Sequence, residues 1–116
     1  MVNIMCSRNQ LDEIISKVVA FSRERFGDKF CHVILYGSYA RGDYDNESDI
    51  DIMILVDMMP EELVKHRRIF NDFSTDIDLN YNVVLSSKLQ SKQFFNEWKN
   101  TLTFYQNVIK DGVIYA

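Results

Sequence analysis

From Asp49 to Val56 the chain alternates with period two. Ile50, Ile52, Ile54 and Val56 fall on one face, and Asp49, Asp51, Met53 and Leu55 on the other. That period excludes an amphipathic helix and specifies a strand with one apolar face and a second face that is acidic at one end. Just upstream, Phe30-Cys31-His32-Val33-Ile34-Leu35-Tyr36 is a short apolar run stopped by Gly37-Ser38, the mark of a buried strand. The link between the two strands is too short for a parallel crossover, which predicts an antiparallel pair.

Ser7-Arg8-Asn9-Gln10 reads as a capping box. Leu11, Ile14, Ile15, Val18 and Val19 follow at helical spacing until Gly27 offers a stop. Ser38 to Gly42 fits a helical turn. Pro60-Glu61-Glu62 opens a further helix, with proline at its first position and acids at the positive end of its dipole. A third strand is expected from about Asp76 to Ser86, with Ile77, Leu79, Tyr81, Val83 and Leu85 on one face and Asp76, Asp78, Asn80 and Asn82 on the other. After Ser87 the apolar spacing predicts one or two more helices, closed by Asp111-Gly112. The order α-β-turn-β-α-β-α predicts one domain over residues 1–116, of the α+β class with α/β-type order: a small mixed sheet with helices on one face.

With 116 residues, of which 47% are hydrophobic, the chain can bury a core, and a net charge of −4 argues against bulk nucleic-acid binding. No apolar run approaches the ~20 residues that span a bilayer, and no leader pattern opens the chain. A soluble cytoplasmic protein is expected. Cys6 and Cys31 lack any metal-ligand spacing and read as free thiols.

The chemistry gathers in Gly37-Ser38-Tyr39-Ala40-Arg41-Gly42 and in Ser48-Asp49-Ile50-Asp51. A Gly-Ser pair leaving a strand lets the backbone approach a ligand, and a helical turn starting there points N–H groups at a phosphate. Asp49 and Asp51 project from one face about 6 to 7 Å apart, where two carboxylates repel by roughly 2 to 3 kcal/mol at an effective dielectric near 20. Water can screen such a pair, or a cation can sit between its members. Hard oxygen ligands of this kind suit Mg²⁺. Together, a phosphate turn and an acidic pair on the next strand are the parts that metal-assisted phosphoryl transfer needs.

The stretch GSYARGDYDNESDIDIMILVD resembles the G-S-x-A-R-G…S-D-I-D signature of the nucleotidyltransferase superfamily, in its minimal (MNT) branch. The resemblance is strongest over residues 33–57 and looser in the closing LTFYQNVIKDGVIYA. It implies a nucleotidyltransferase-like fold and transfer of a nucleoside monophosphate, AMP from ATP, to an acceptor. In this family Gly37 and Ser38 would contact the triphosphate, and Asp49 and Asp51 would hold Mg²⁺. A third carboxylate on a following strand usually completes the metal site and helps activate the acceptor; Asp78 is the candidate and Asp76 the alternate. Arg41 would support phosphate charge or pair with Asp43 or Asp45 to shape the loop. Small MNT proteins commonly pair with a HEPN-domain protein in toxin–antitoxin systems. The resemblance therefore also implies a HEPN partner, either as acceptor or as the target of a non-catalytic, partner-binding antitoxin. Homo-oligomerisation stays open.

Other features read as structural. His66, beside Arg67 and Arg68, belongs to a solvated basic patch, and His32 is expected as a hydrogen-bonded histidine in a buried strand. Phe94, Phe95, Trp98, Phe104 and Tyr105 are spaced for core packing. A phosphatase using a D-x-D nucleophile is disfavoured, because the apolar strand here precedes Gly-Ser rather than delivering the first Asp at its end.

Overall fold

The computed structural model describes residues 7–116; the free-thiol reading of Cys6 lies outside them. Helix α1 (Arg8–Phe26) opens on the expected capping box, with the Ser7 side chain accepting from Gln10 N–H and Gln10 reaching back to Ser7 N–H. Strand β1 (Phe30–Tyr36) leads through Gly37 into the single turn of α2 (Ser38–Arg41), and a polar loop leads to β2 (Ile50–Val56). There follow α3 (Pro60–Leu63), a short 3₁₀ turn, α4 (Arg67–Tyr81), β3 (Leu85–Ser91), α5 (Lys92–Trp98), α6 (Thr103–Asp111) and β4 (Val113–Ile114). Among the described residues no helix is long and apolar enough to cross a membrane.

The four strands form one mixed sheet in the order β3-β2-β1-β4. β1 and β2 are antiparallel, as the short link requires, and β2 and β3 are parallel, joined by the α3–α4 crossover. Ile50, Ile52, Ile54 and Val56 enter the larger core with Leu11, Ile14, Ile15 and Val18 of α1 and Phe70 and Ile77 of α4. Met53 and Leu55, on the opposite face, pack with Ile34, Phe95, Tyr105 and Val108. The α+β mixed sheet is as expected, but the helices lie on both of its faces rather than one: α1 and α4 cover one face, and the shorter α5 and α6 cover the other, because Met53 and Leu55 make the second face apolar as well.

The third strand does not run from Asp76 to Ser86. Those residues begin inside α4, which continues to Tyr81 and is capped by Asn82 in the left-handed conformation (φ 55°). Ile77 satisfies a period of two, but it also lies at helical spacing from Phe70 and Ser74, and these three are the buried residues of the helix. Leu79, which the alternation would have buried, is 78% exposed. The strand that pairs with β2 is instead the polar LSSKLQS of β3.

His32 is exposed rather than buried, although its Nδ1 lies 2.8 Å from the carbonyl oxygen of Ala116. Cys31 is a free thiol, in contact with the Lys29 carbonyl.

Candidate active site

The site lies where β1 ends and β2 begins, and the antiparallel register sets Tyr36 opposite Asp51. Gly37 turns the chain with φ 75° and ψ −157°, a conformation that L side chains rarely adopt. It also admits a close neighbour: a Cβ at Gly37 would collide with Oδ2 of Asp51 and lie 3.3 Å from its Cγ. The glycine therefore lets the β2 carboxylate rest against the turn. Ser38 stands at the first position of α2, ahead of the bonds that Ala40 and Arg41 N–H donate to the Gly37 carbonyl, at the end where helical N–H groups are unspent.

Asp49 is delivered by a loop that holds its own shape. Asp45 N–H donates to Ser48 Oγ at 2.9 Å and Glu47 N–H to Asp45 Oδ1 at 2.9 Å. Tyr39 and Tyr44 stack with centroids 4.2 Å apart and tie the loop to α2. Asp49 is exposed, just ahead of β2, whereas Asp51 is half-buried on it. Burial, and then repulsion from Asp49, push the Asp51 carboxyl above its ordinary range, against the pull of Lys88 and Arg41. Burial and the Asp51 charge push the Tyr36 phenol up to about 12.

Arg41 takes the pairing role left open by the sequence. Its guanidinium donates to Asp43 at 3.2 Å and to Asp111 at 3.4 Å, tying the turn to the end of α6. Asp78 reaches the site from the last turn of α4 rather than from a strand. Its Oδ1 accepts the Leu85 N–H at 2.7 Å, and Leu85 is the residue of β3 in register with Ile50. Burial raises the Asp78 carboxyl, the Leu85 bond opposes this, and the Asp49 charge adds to the rise. Asp76 is exposed on the same helix.

Among the described residues no three acidic, histidine or cysteine side chains stand close enough to hold one ion. Asp49 and Asp51 are thus the pair suited to a hard cation, and Asp78 stands beside them as a third acid, outside any three-ligand cluster. On the Asp51 face, β3 presents Ser86 and Lys88, in register with Asp51 and Met53. Neither was singled out in the sequence, because their place depends on where β3 begins. Asp111 was read only as a helix end, and Tyr36 only as the last residue of an apolar run.

The arrangement can bind a phosphate chain at the turn and concentrate negative charge for a divalent cation. The profile of the Nucleotidyltransferase domain family matches residues 8–111. Two Methanocaldococcus jannaschii proteins, each named "putative protein adenylyltransferase" (MJ0604 and MJ0141), are similar along most of their length. The first is 34% identical over 105 residues, covering 90% of this chain and 97% of the relative. The second is 39% identical over 93 residues, covering 76% and 94%. Among solved structures, a "putative nucleotidyltransferase" from Sulfolobus solfataricus superposes with a TM-score of 0.55 at 20% identity, covering 89% of this chain and 77% of that one. A toxin–antitoxin structure with AMP-PNP superposes with a TM-score of 0.51 at 17% identity, covering 84% and 69%. These last two likenesses concern the fold. With the signature turn and the acidic pair on one shelf and a family match over nearly its whole length, the chain belongs to the nucleotidyltransferase domain family.

Proposed function

We propose that this enzyme transfers AMP from ATP, with Mg²⁺, to a protein acceptor in the cytoplasm, and that the acceptor is a HEPN-domain partner of the toxin–antitoxin kind. The observation that carries the reading is the packing of Asp51 against Gly37 with Asp49 alongside, which joins a phosphate turn to an acidic pair. The names of the M. jannaschii relatives support a protein acceptor, and the neighbour with AMP-PNP supports an adenine nucleotide and a toxin–antitoxin setting.

In this reading Gly37 and Ser38 receive the triphosphate, and Asp49 and Asp51 hold the cation. A divalent ion there supplies charge neutralisation for the phosphates. Arg41 keeps the turn in place through Asp43 and Asp111. Asp78, with its carboxyl raised by burial and by Asp49, is the group suited to accept the acceptor's proton. The test is Mg²⁺-dependent transfer of label from α-³²P-ATP to a co-purified HEPN partner. Absence of label with every NTP, on a partner that binds, overturns the reading.

One observation favours a second reading, a non-catalytic binding antitoxin. Trp98, Leu102, Phe104 and Ile109 leave 38 to 53% of their surface exposed around α5 and α6, an apolar surface available to a partner. The Asp49→Asn/Asp51→Asn double variant separates the two. Neutralisation retained without modification supports binding alone, and loss of both supports catalysis.

A further inference from the structure

Strand β3 is an edge. It pairs with β2 over seven residues without a register shift, and among the described residues no strand of the sheet lies beyond it. The hydrogen bonds fix which of its groups face outward. Ile50 N–H donates to the Val84 carbonyl at 2.8 Å, so the even-numbered residues of β3 turn their main-chain groups toward β2 and the odd-numbered ones turn away. Leu85 agrees: its N–H goes to Asp78 and not to β2. Past Leu85, the N–H groups of Ser87 and Leu89 point outward and meet no protein acceptor among the described residues. Proline, a bulge or a covering strand would blunt such an edge, and among the described residues β3 has none of them; Lys88 is its one charged residue.

A groove runs beside this edge. A cleft of about 320 Å³ is bounded by Arg67 and Asn71 of α4 and by four consecutive residues, Ser87 to Gln90. Successive strand side chains leave opposite faces, so a hollow touching four in a row lies along the edge itself. A second cleft, of about 300 Å³, is bounded by Leu85 to Ser87 and by Thr75 and Asp78. The two share Asn71 and Ser87, and so form one path from Arg67 to the acid beside the catalytic pair. The far end is basic on both faces: Arg67 on the α4 face and Lys88 on the Asp51 face enter no close ion pair among the described residues, although Lys88 also attracts Asp51.

We propose that an extended, acidic segment of the acceptor protein adds as a fifth strand to the outer edge of β3. Its main chain bonds Ser87 and Leu89, and its carboxylates meet Arg67 and Lys88. Strand addition of this kind takes affinity from main-chain bonds and selectivity from alternate side chains. The proposal rests on the protein-acceptor reading above, and it places the incoming chain at the end of the groove where Asp78 stands.

The test uses the ¹⁵N-labelled full chain without nucleotide, titrated with the peptide Thr-Thr-Glu-Glu-Glu-Thr-Thr, whose neighbouring Glu side chains reach both faces of the edge, and with its Lys counterpart. The Ser87 and Leu89 amides should shift and gain exchange protection, while those of Ser86 and Lys88, already bonded to β2, change less. The acidic peptide should bind about fivefold or more tightly than the basic one, as two exposed charges allow. Ser87→Pro removes the outward N–H, and with it the Ser87 Oγ bond to the buried Ser74 Oγ, and should abolish binding; Ser87→Ala, which loses only the hydroxyl bond, should still bind. Arg67→Glu, at an exposed helix position, should reverse the preference between peptides and serves as the test should the proline variant not fold. Unmoved Ser87 and Leu89 amides at millimolar peptide, or equal binding of both peptides, overturn the proposal. So do concentration-dependent shifts of these amides without peptide, which would assign the edge to a second copy of the chain. AMP transfer is measured separately. Edge binding without transfer refutes the catalytic reading alone, and transfer without edge binding refutes this one.

Discussion

The Asp51 carboxylate occupies the space that a side chain on Gly37 would need. The backbone at Gly37 (φ 75°) is itself one that favours glycine. Gly37→Ala therefore meets two penalties, backbone strain and displacement of Asp51, and should destabilise the fold by about 1 to 3 kcal/mol. Transfer should fall at least tenfold in the fraction that stays folded. Denaturant melts and rates normalised to folded protein check this, and a wild-type rate in the alanine variant would show that the close approach is dispensable.

Asp51 is held half-buried beside a like charge, an arrangement that costs the fold and that the proposed cation would relieve. Asp51→Asn should stabilise the metal-free protein at neutral pH by about 0.5 to 1 kcal/mol, a figure kept small because solvent screens the pair. If Asp51 holds the proposed cation, Mg²⁺ with ATP should raise the melting temperature of the wild type and not that of this variant. A destabilised variant, or one that still responds to Mg²⁺, contradicts the assignment.

The stability difference between wild type and Asp51→Asn should depend on pH with a definite sign. The folded-state pKa of Asp51 is raised, so between the ordinary carboxylate value near ~3.9 and the raised value the folded state binds more protons than the unfolded one. The contribution of Asp51 is then fully present below the ordinary value and lost as pH rises through the raised one. The variant should gain on the wild type as pH climbs through that window and hold a constant lead above it. Paired melts at successive pH values measure the lead, and one that shrinks with rising pH contradicts the account.

Asp78 has two separable duties. Its Oδ1 caps the first outward N–H of β3, and its charge acts on the site. Asp78→Asn keeps an acceptor oxygen for Leu85 and should melt close to wild type, whereas Asp78→Ala leaves that N–H unmet and should cost about 1 kcal/mol. Both should lower transfer by about a hundredfold or more, as expected for loss of a positioned base. Undiminished transfer by the asparagine variant would confine Asp78 to the structural duty.

The parts of the fold that could be read in the sequence are those whose patterns have a single interpretation. The alternation of Asp49 to Val56 fixed both faces of β2, and Ile50, Ile52, Ile54 and Val56 lie in one core while Met53 and Leu55 lie in the other. The Ser7/Gln10 box, the β1 run and the turn at Ser38 were equally plain. β3 was misplaced because an edge strand needs few apolar residues. Only Leu85 and Leu89 of LSSKLQS touch the larger core, while the helical Ile77-Asp78-Leu79 happens to alternate. Asn82, a common left-handed helix cap, was the local signal for where α4 ends. With that boundary shifted, the places of Asp78, Ser86 and Lys88 could not be read, since a strand's register decides which side chains face the site.

Intact-mass analysis of a HEPN partner co-expressed with this chain tests nucleotide transfer to a protein most directly. A nucleotide-sized mass increment on the partner, AMP by this account, should be present with the wild type and absent with Asp49→Asn/Asp51→Asn. An unmodified partner that is nonetheless bound and neutralised by both forms would contradict it.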